Sequence, residues 1–320
     1  MKRVVLVVGS LNVDLVVRVA SHPRPGETVA GGDLARFPGG KGANQAAAAA
    51  LASGTDVVVR MLGRHGPDAD GALVRAALHE RGVDLESVHT TLDAPTGVAL
   101  ITVDDEGQNA IVVSGGANHA LSAADVDAAL RGGGGGGVPS LVLTQLETPL
   151  VVVAHLAARC ALEHVPFVLN AAPPLPLPDG LWSSIDTLIV NEHEAAVLGA
   201  SAASSVAPGA DRRARRVAAL DAADTLAARG VGTVIITLGE AGVVWAGASR
   251  GEREAFQVDV RDTTGAGDAF CGAFVAARAT GADVETAIAF AAAAGALAVG
   301  REGAIPSLPS RAEIEALLSP

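Results

Sequence analysis

The chain has 320 residues, and 23 Lys plus Arg against 35 Asp plus Glu give a formal net charge of −12 at pH 7. An acidic surface of that size repels phosphate backbones and argues against general nucleic-acid binding. Hydrophobic residues at 49% against 18% charged argue equally against disorder.

Met1-Lys2-Arg3 followed by Val4–Val8 resembles a signal peptide only at first glance. The apolar run stops at Gly9-Ser10 with no small-residue cleavage site, so it reads as a buried first strand. Further strands are expected at Val57–Arg60, Leu141–Gln145, Pro166–Asn170, Thr187–Val190, Thr233–Leu238 and Ala255–Val260. Most are continuous apolar runs, as in strands covered on both faces. Helical patterns lie between them: Pro67–Arg81 carries Leu73, Val74, Ala77 and Leu78 on one stripe, and Pro149–Glu163 carries Leu150, Val153, Leu156 and Cys160. This alternation predicts an α/β fold, a doubly wound, mostly parallel sheet with helices on both faces.

Two segments break the alternation. Leu15–Ala20 with Glu27–Phe37, and Gly97–Val103 with Asn109–Ser114, read as strands joined by turns, the second a hairpin at Asp104–Gly107. Strands without intervening helices cannot join a parallel sheet simply. They predict a small β-sheet lid, from about 14–38 and 96–115, on a single domain spanning 1–320. The Gly132–Gly137 run reads as a flexible connector, since Val138-Pro139 follows where a Walker loop needs Gly-Lys-Ser/Thr. Within the low-complexity stretch 200–216, the Arg212, Arg213, Arg215, Arg216 cluster could bind an anion or nucleic acid; against the overall charge a solvated helix start is the better reading.

No run reaches the roughly 18 apolar residues that a bilayer span requires, and the Ala-rich 287–299 segment falls short. Two cysteines, Cys160 and Cys271, make no disulfide framework and fit a reducing compartment. The expectation is a cytoplasmic protein with no membrane or nucleic-acid partner.

The segment richest in chemistry is Asp262-Thr263-Thr264-Gly265-Ala266-Gly267-Asp268, which opens an Ala-rich helix running to about Ala279. Small residues let backbone N–H groups approach a ligand, and a helix start adds unpaired donors and partial positive charge. Together they make an anion pocket with Asp268 beside it. A plain N-cap would need neither glycine. Gly39-Gly40-Lys41-Gly42-Ala43-Asn44-Gln45 opens another helix, where Lys41 and Asn44 can converge. Asn12 and Asp14 follow the first strand, point the same way, and suit the gripping of hydroxyls. Glu147 falls at the same predicted sheet edge, as do Asn191 and Glu194, oxygen donors able to hold hydrated Mg²⁺. The eight histidines show no metal spacing and no partnered nucleophile. Cys271 reads as a small core residue.

With these residues in place, the chain resembles the PfkB carbohydrate kinase family almost end to end. Asp262–Asp268 is similar to the family's second signature, and Asn191-Glu192-His193-Glu194 to its Asn-x-x-Glu magnesium motif. Pro25-Gly26-Glu27-Thr28, Gly39–Ala46, Thr96–Leu100, Gly116-Ala117-Asn118 and Gln145-Leu146-Glu147 resemble its ribokinase branch.

The resemblance implies a ribokinase-like fold with a β-lid, and an enzyme that phosphorylates D-ribose at its 5-hydroxyl using ATP. It implies that Asn12, Asp14, Gly40, Lys41, Asn44 and Glu147 grip the sugar, and that Asp268 is the general base beside a Gly265, Ala266, Gly267 anion hole. It further implies that Asn191, Thr237, Gly239, Gly242, Gly267 and Ala292 line the ATP site, Ala292 standing where relatives often carry His or Asn. Mg²⁺ falls by the same carry-over on Asn191 and Glu194. An activating K⁺ falls on Asp262, Thr264, Ala298, Arg301, Gly303 and Ser307, and the lid suggests a homodimer. The runner-up is another PfkB kinase acting on deoxyribose, fructose or a nucleoside; a non-catalytic sugar-binding protein is the alternative from outside the enzymes.

Overall fold

The computed structural model describes residues 2–132, 137–201 and 211–319. The first apolar run forms β1 (Arg3–Val8), buried from Val4 onward. The chain continues through β2 (Asn12–Arg18), β3 (Ala35–Gly39), α1 (Lys41–Ala52), β4 (Val57–His65), α2 (Ala69–Glu80) and β5 (Val88–Thr90). A hairpin follows, β6 (Gly97–Val103) and β7 (Asn109–Ser114), then α3 (Ala123–Leu130), β8 (Leu141–Thr144), α4 (Leu150–Glu163) and β9 (Phe167–Asn170). The second half runs β10 (Thr187–Asn191), α5 (Glu192–Val197), α6 (Arg212–Ala227), β11 (Thr233–Thr237), β12 (Val243–Gly247) and β13 (Gly251–Arg253). Three helices close it: α7 (Ala266–Ala279), α8 (Val284–Ala298) and α9 (Arg311–Leu318).

Among the described residues the main sheet has nine strands in the order β13-β12-β11-β10-β9-β8-β1-β4-β5, parallel from β11 to β5. Side chains alternate between two cores, as the strand period requires. Val5 and Val7 pack with α1, α7 and α8 on one face; Leu6 and Val8 pack with α3, α4 and α6 on the other. Because β1 is flanked by β4 on one side and β8 on the other, the chain winds outward both ways from it. That reversal opens a crevice at the carboxyl end of β1, where ligands of such sheets bind.

The four lid strands form a separate sheet in the order β3-β2-β6-β7. Asn12, at the start of β2, is in register with both Gly39 and Gly97, so the base of the lid sits directly on the crevice. The predicted hairpin is present: Asp104 accepts from the backbone N–H groups of Glu106 and Gln108.

Several expectations need correction. Ala255–Val260 is not a strand; the sheet ends instead in two antiparallel strands, β12, whose short apolar run Val243-Val244-Trp245-Ala246 is absent from the expected strands, and β13, whose Gly-Glu-Arg has no apolar residue to announce it. Of Glu27–Phe37 only its end lies in a strand, with a lone bridge between Val19 and Gly31 before it, because Gly31-Gly32 interrupts the pattern. Leu73 is 37% exposed, so the inward stripe of α2 is Val74, Ala77 and Leu78. The Arg212–Arg216 cluster does open a helix, but Arg215 and Arg216 are ion-paired within the fold rather than solvated. Residues 133–136 of the glycine run and 202–210 of the low-complexity stretch lie outside the described residues. No helix among the described residues is long and apolar enough to cross a membrane.

Candidate active site

The site is assembled where α1 and α7 cross beneath the end of β1. Gly272 decides how closely they approach. A Cβ there would stand 2.5 Å from that of Ala48 and 2.7 Å from the Gln45 carbonyl oxygen, so only glycine lets the two backbones meet. One turn before Gly272, Asp268 is thereby pressed against α1. Its Oδ2 accepts from Asn44 Nδ2 at 2.9 Å and its Oδ1 from Gln45 Nε2 at 2.8 Å. The carboxylate is 7% exposed, so both hydrogen bonds work in a medium of low polarity.

Gln45 carries the network further. The same Nε2 donates to Asn170 Oδ1 at 2.9 Å, while Gln45 Oε1 accepts from Gln145 Nε2 at 2.6 Å. Asn170 in turn donates to the Ile189 carbonyl. Amides from the ends of β8 and β9 therefore buttress the carboxylate from behind. Sequence reasoning gives Gln45, Gln145 and Asn170 no role of their own; their only signal is a place at a strand end or inside the Gly39–Ala46 and Gln145–Glu147 motifs.

The other half of the site descends from the lid. Glu147 Oε2 accepts from Ser10 Oγ at 2.6 Å, the Lys41 backbone N–H at 3.1 Å and Asn12 Nδ2 at 3.5 Å. Asn12 Oδ1 accepts from Asn118 Nδ2 at 2.7 Å, and Asn118 Oδ1 from the Leu11 N–H. Asn118 is a further positioning group that reading residue by residue missed. Asp14, two residues on, lies over Gly39, whose added Cβ would stand 2.5 Å from its Oδ2.

The charges converge as well. Burial pulls the Lys41 ammonium down, but the carboxylates of Asp268, Glu147 and Glu194 outweigh it and hold its pKa above the ordinary lysine value. Burial, then Glu147 and Asp268, push Asp14 up to about 6 against the pull of Lys41. Burial likewise raises Glu194, opposed by the Asn191 N–H and by Lys41. One lysine thus stands among four carboxylates, groups that can hydrogen-bond neutral hydroxyls and that repel an anion unless cations balance it.

At the far end of the crevice, α7 starts from Gly265, whose φ of +78° puts it in the left-handed region that glycine adopts freely. A Cβ on Gly267 would meet nothing within 4 Å, so the first turn of α7 presents open backbone. Asn191 and Thr237 are register partners at the ends of β10 and β11, and Gly239 and Gly242 bracket the turn into β12. Asn191 Oδ1 accepts from the Glu194 N–H and Glu194 Oε2 from the Asn191 N–H, both at 2.8 Å, in a capping box. Ala292 lies one turn before Gly295, which packs α8 on the Ala266 carbonyl.

Asp262 lies behind this turn. Burial opposes its ionisation, but donors from Thr264 and Gly303 prevail and hold its carboxyl below the usual range. Ala304 touches the position a Gly265 Cβ would take, so the 298–307 loop underlies the start of α7. The side chain of Arg301 turns away to Glu313, that of Ser307 is bonded to the Ala304 carbonyl, and Ala298 offers only backbone. Cys271 is buried, and its thiol is pushed well above its ordinary range by burial, then by Asp268 and Glu194.

An acidic crevice with a buried carboxylate at a glycine-opened helix start, covered by a β-lid, defines a carbohydrate kinase. The chain belongs to the pfkB family of carbohydrate kinases, whose family model matches residues 2–311. It is 38% identical to the ribokinase of Schizosaccharomyces pombe over 97% of this chain and 96% of that one. Its fold is similar to that of Thermotoga maritima ribokinase, with a TM-score of 0.85 and 30% identity over 99% of each chain. It is similar also to Arabidopsis thaliana ribokinase complexed with ribose and ATP, with a TM-score of 0.84 and 32% identity over 100% of this chain and 99% of that one.

Proposed function

We propose that the protein transfers the γ-phosphoryl group of ATP to the 5-hydroxyl of D-ribose, with Asp268 as the general base. The observation that carries this reading is the position of Asp268: a buried carboxylate at the first turn of α7, its oxygens oriented by Asn44 and Gln45. The ribose oxygen forms a bond to the γ-phosphorus as the bond to the β,γ-bridging oxygen breaks; its proton passes to Asp268 and ADP departs. Such transfers need positioning and charge neutralisation more than covalent help. Backbone donors at Gly265, Ala266 and Gly267 and the helix dipole supply part of that neutralisation.

Asn12, Asp14, Gly40, Lys41, Asn44 and Glu147 would hold the sugar hydroxyls. Asn191, Thr237, Gly239, Gly242, Gly267 and Ala292 would line the nucleotide. The Asn191–Glu194 pair offers hard oxygen donors of the kind Mg²⁺ takes while keeping most of its waters, and the ion would neutralise phosphate charge there. An activating K⁺ would use Asp262, Thr264, Ala298, Arg301, Gly303 and Ser307, mostly through carbonyl oxygens; that loop underlies Gly265. A homodimer through the lid and a cytoplasmic location complete the reading.

A coupled phosphorylation assay over ribose, 2-deoxyribose, fructose and adenosine, with and without K⁺, tests it, ribose being the expected best substrate. Asp268→Asn should lower kcat by about 10²- to 10⁴-fold with little change in sugar affinity. An unchanged kcat would refute the role of Asp268.

A further inference from the structure

The arginines that open α6 stand out in a chain of net charge −12. Three of the four are not a free cationic patch, for the guanidinium groups of Arg212, Arg215 and Arg216 are committed to ion pairs and backbone carbonyls. Arg215 forks onto Glu192, Nε to Oε1 at 3.1 Å and Nη2 to Oε2 at 2.6 Å, and the same Nη2 donates to the Leu238 carbonyl at 3.0 Å. Arg216, 7% exposed, donates to the Ala241 carbonyl at 3.3 Å and to Glu254 at 3.1 Å, with Glu252 3.5 Å away. Arg212 reaches Glu240 at 3.2 Å, and Arg215 also lies 3.7 Å from it.

These bonds follow a pattern. Between β11 and β12 the turn reads Leu238-Gly239-Glu240-Ala241-Gly242. The arginines of α6 hold Leu238, Glu240 and Ala241, while Gly242 packs on the Arg253 backbone and Gly239, whose added Cβ would meet nothing within 4 Å, is left as the open side of the turn. Through Glu192, Arg215 simultaneously holds the turn that carries Asn191 and Glu194. An isolated exposed ion pair would contribute little. A planar guanidinium spanning two carboxylate oxygens and a backbone carbonyl instead sets a geometry, which lysine cannot reproduce.

We infer that Arg215, supported by Arg216, is a positioning residue for the nucleoside triphosphate, fixing the Leu238–Gly242 turn against the Asn191–Glu194 turn. This rests on the reading of those two turns as the ATP site. Arg215 bonds Glu192 and the Leu238 carbonyl, and acts through the backbone of the two turns.

The test is steady-state kinetics on the full-length enzyme with ATP and ribose varied separately, for Arg215→Met, Arg215→Lys, Glu192→Gln and the Arg215→Met/Glu192→Gln double variant. Arg215→Met should raise KM for ATP about tenfold, the scale expected when a preorganised site loses one charge-assisted hydrogen bond. Arg215→Lys should fall between it and the parent. KM for ribose and kcat at saturating ATP should stay within about twofold, and the double variant should bind ATP no worse than Arg215→Met alone. Gly239→Asn, which tolerates the left-handed backbone and adds bulk to the ligand side of the turn, is the control. If it raises KM for ATP while the Arg215 variants leave it unchanged, the inference is overturned and the ATP site stands. If Gly239→Asn changes nothing, the nucleotide reading itself fails. Should Arg215→Met not fold, Arg215→Lys and Glu192→Gln decide by the same criterion.

Discussion

Gln45 uses one amide nitrogen to hold two acceptors, Asp268 Oδ1 at 2.8 Å and Asn170 Oδ1 at 2.9 Å. Helix α1 therefore locks the buried carboxylate of α7 to the end of β9, and Gln145 locks Gln45 in turn. In the proposed role of general base, a carboxylate held this way would need no reorganisation when the sugar hydroxyl arrives.

Gln45→Leu removes that donor and leaves the amides of Asn170 and Gln145 short of partners. It should lower kcat at least about tenfold and cost about 1–3 kcal/mol of stability. Initial rates and urea denaturation measure the two effects; a kcat within twofold of the parent would rule out a positioning role for Gln45.

Asp14 should make sugar affinity depend on pH near neutrality. Its carboxyl is raised to about 6, so it loses its charge as pH falls through that value, and KM for ribose should rise below pH 6. The sign for stability is opposite. Between the ordinary carboxyl range and pH 6 the folded state binds more protons than the unfolded, so ionising Asp14 destabilises the fold as pH rises. Asp14→Asn should thus weaken ribose binding yet stabilise the protein at pH 7.5 by up to about 2 kcal/mol. Thermal melts of both proteins at pH 5 and 7.5 check it: the difference should shrink at the lower pH.

Gly272→Ala places a methyl carbon against the Ala48 side chain and the backbone of Gln45 and Ala49 at 2.5–2.7 Å. Forcing α1 and α7 apart should cost about 1–3 kcal/mol and pull Asn44 and Gln45 from Asp268, lowering kcat in the folded fraction. Equal stability and full activity would contradict the close crossing.

Burial holds both thiols in check, with Cys160 pushed up to about 12. Neither should react with a thiol reagent in the native protein, and two should react per chain in denaturant. Rapid native labelling of either residue would contradict their placement.

The lid predicts an association. Strand β7 is exposed along its whole length, with Ile111, Val112 and Val113 all more than half exposed at what is, among the described residues, an outer edge of the lid sheet. Apolar edges of this kind pair with another chain. Sedimentation should find a dimer, and Val112→Lys should shift it toward monomer; identical sedimentation of the two would count against pairing through the lid.

Much of this architecture was legible in the chain. Continuous apolar runs such as Val4–Val8 announced strands buried on two faces, and the strands around Asp104–Gly107, lacking helices between them, announced the lid. Gly265–Asp268 announced the glycine-opened start of α7. Less legible was β13, whose Gly-Glu-Arg has the composition of a loop; β12 is apolar but only five residues long, and Ala255–Val260 has strand-like residues but no ladder partner among the described residues. Neutral amides such as Gln45, Asn118 and Gln145 were silent for another reason: nothing in an uncharged side chain says whether it faces water or a buried carboxylate.

What the sequence determined by itself were the local choices, strand or helix, the glycine-opened helix starts and the acidic balance, since these follow from sterics and periodicity among near neighbours. Only the tertiary structure decided which polar groups meet. Asn44 and Asp268 are 224 positions apart, and they touch because β1 sits at the reversal of the sheet and Gly272 lets two helices close to backbone distance.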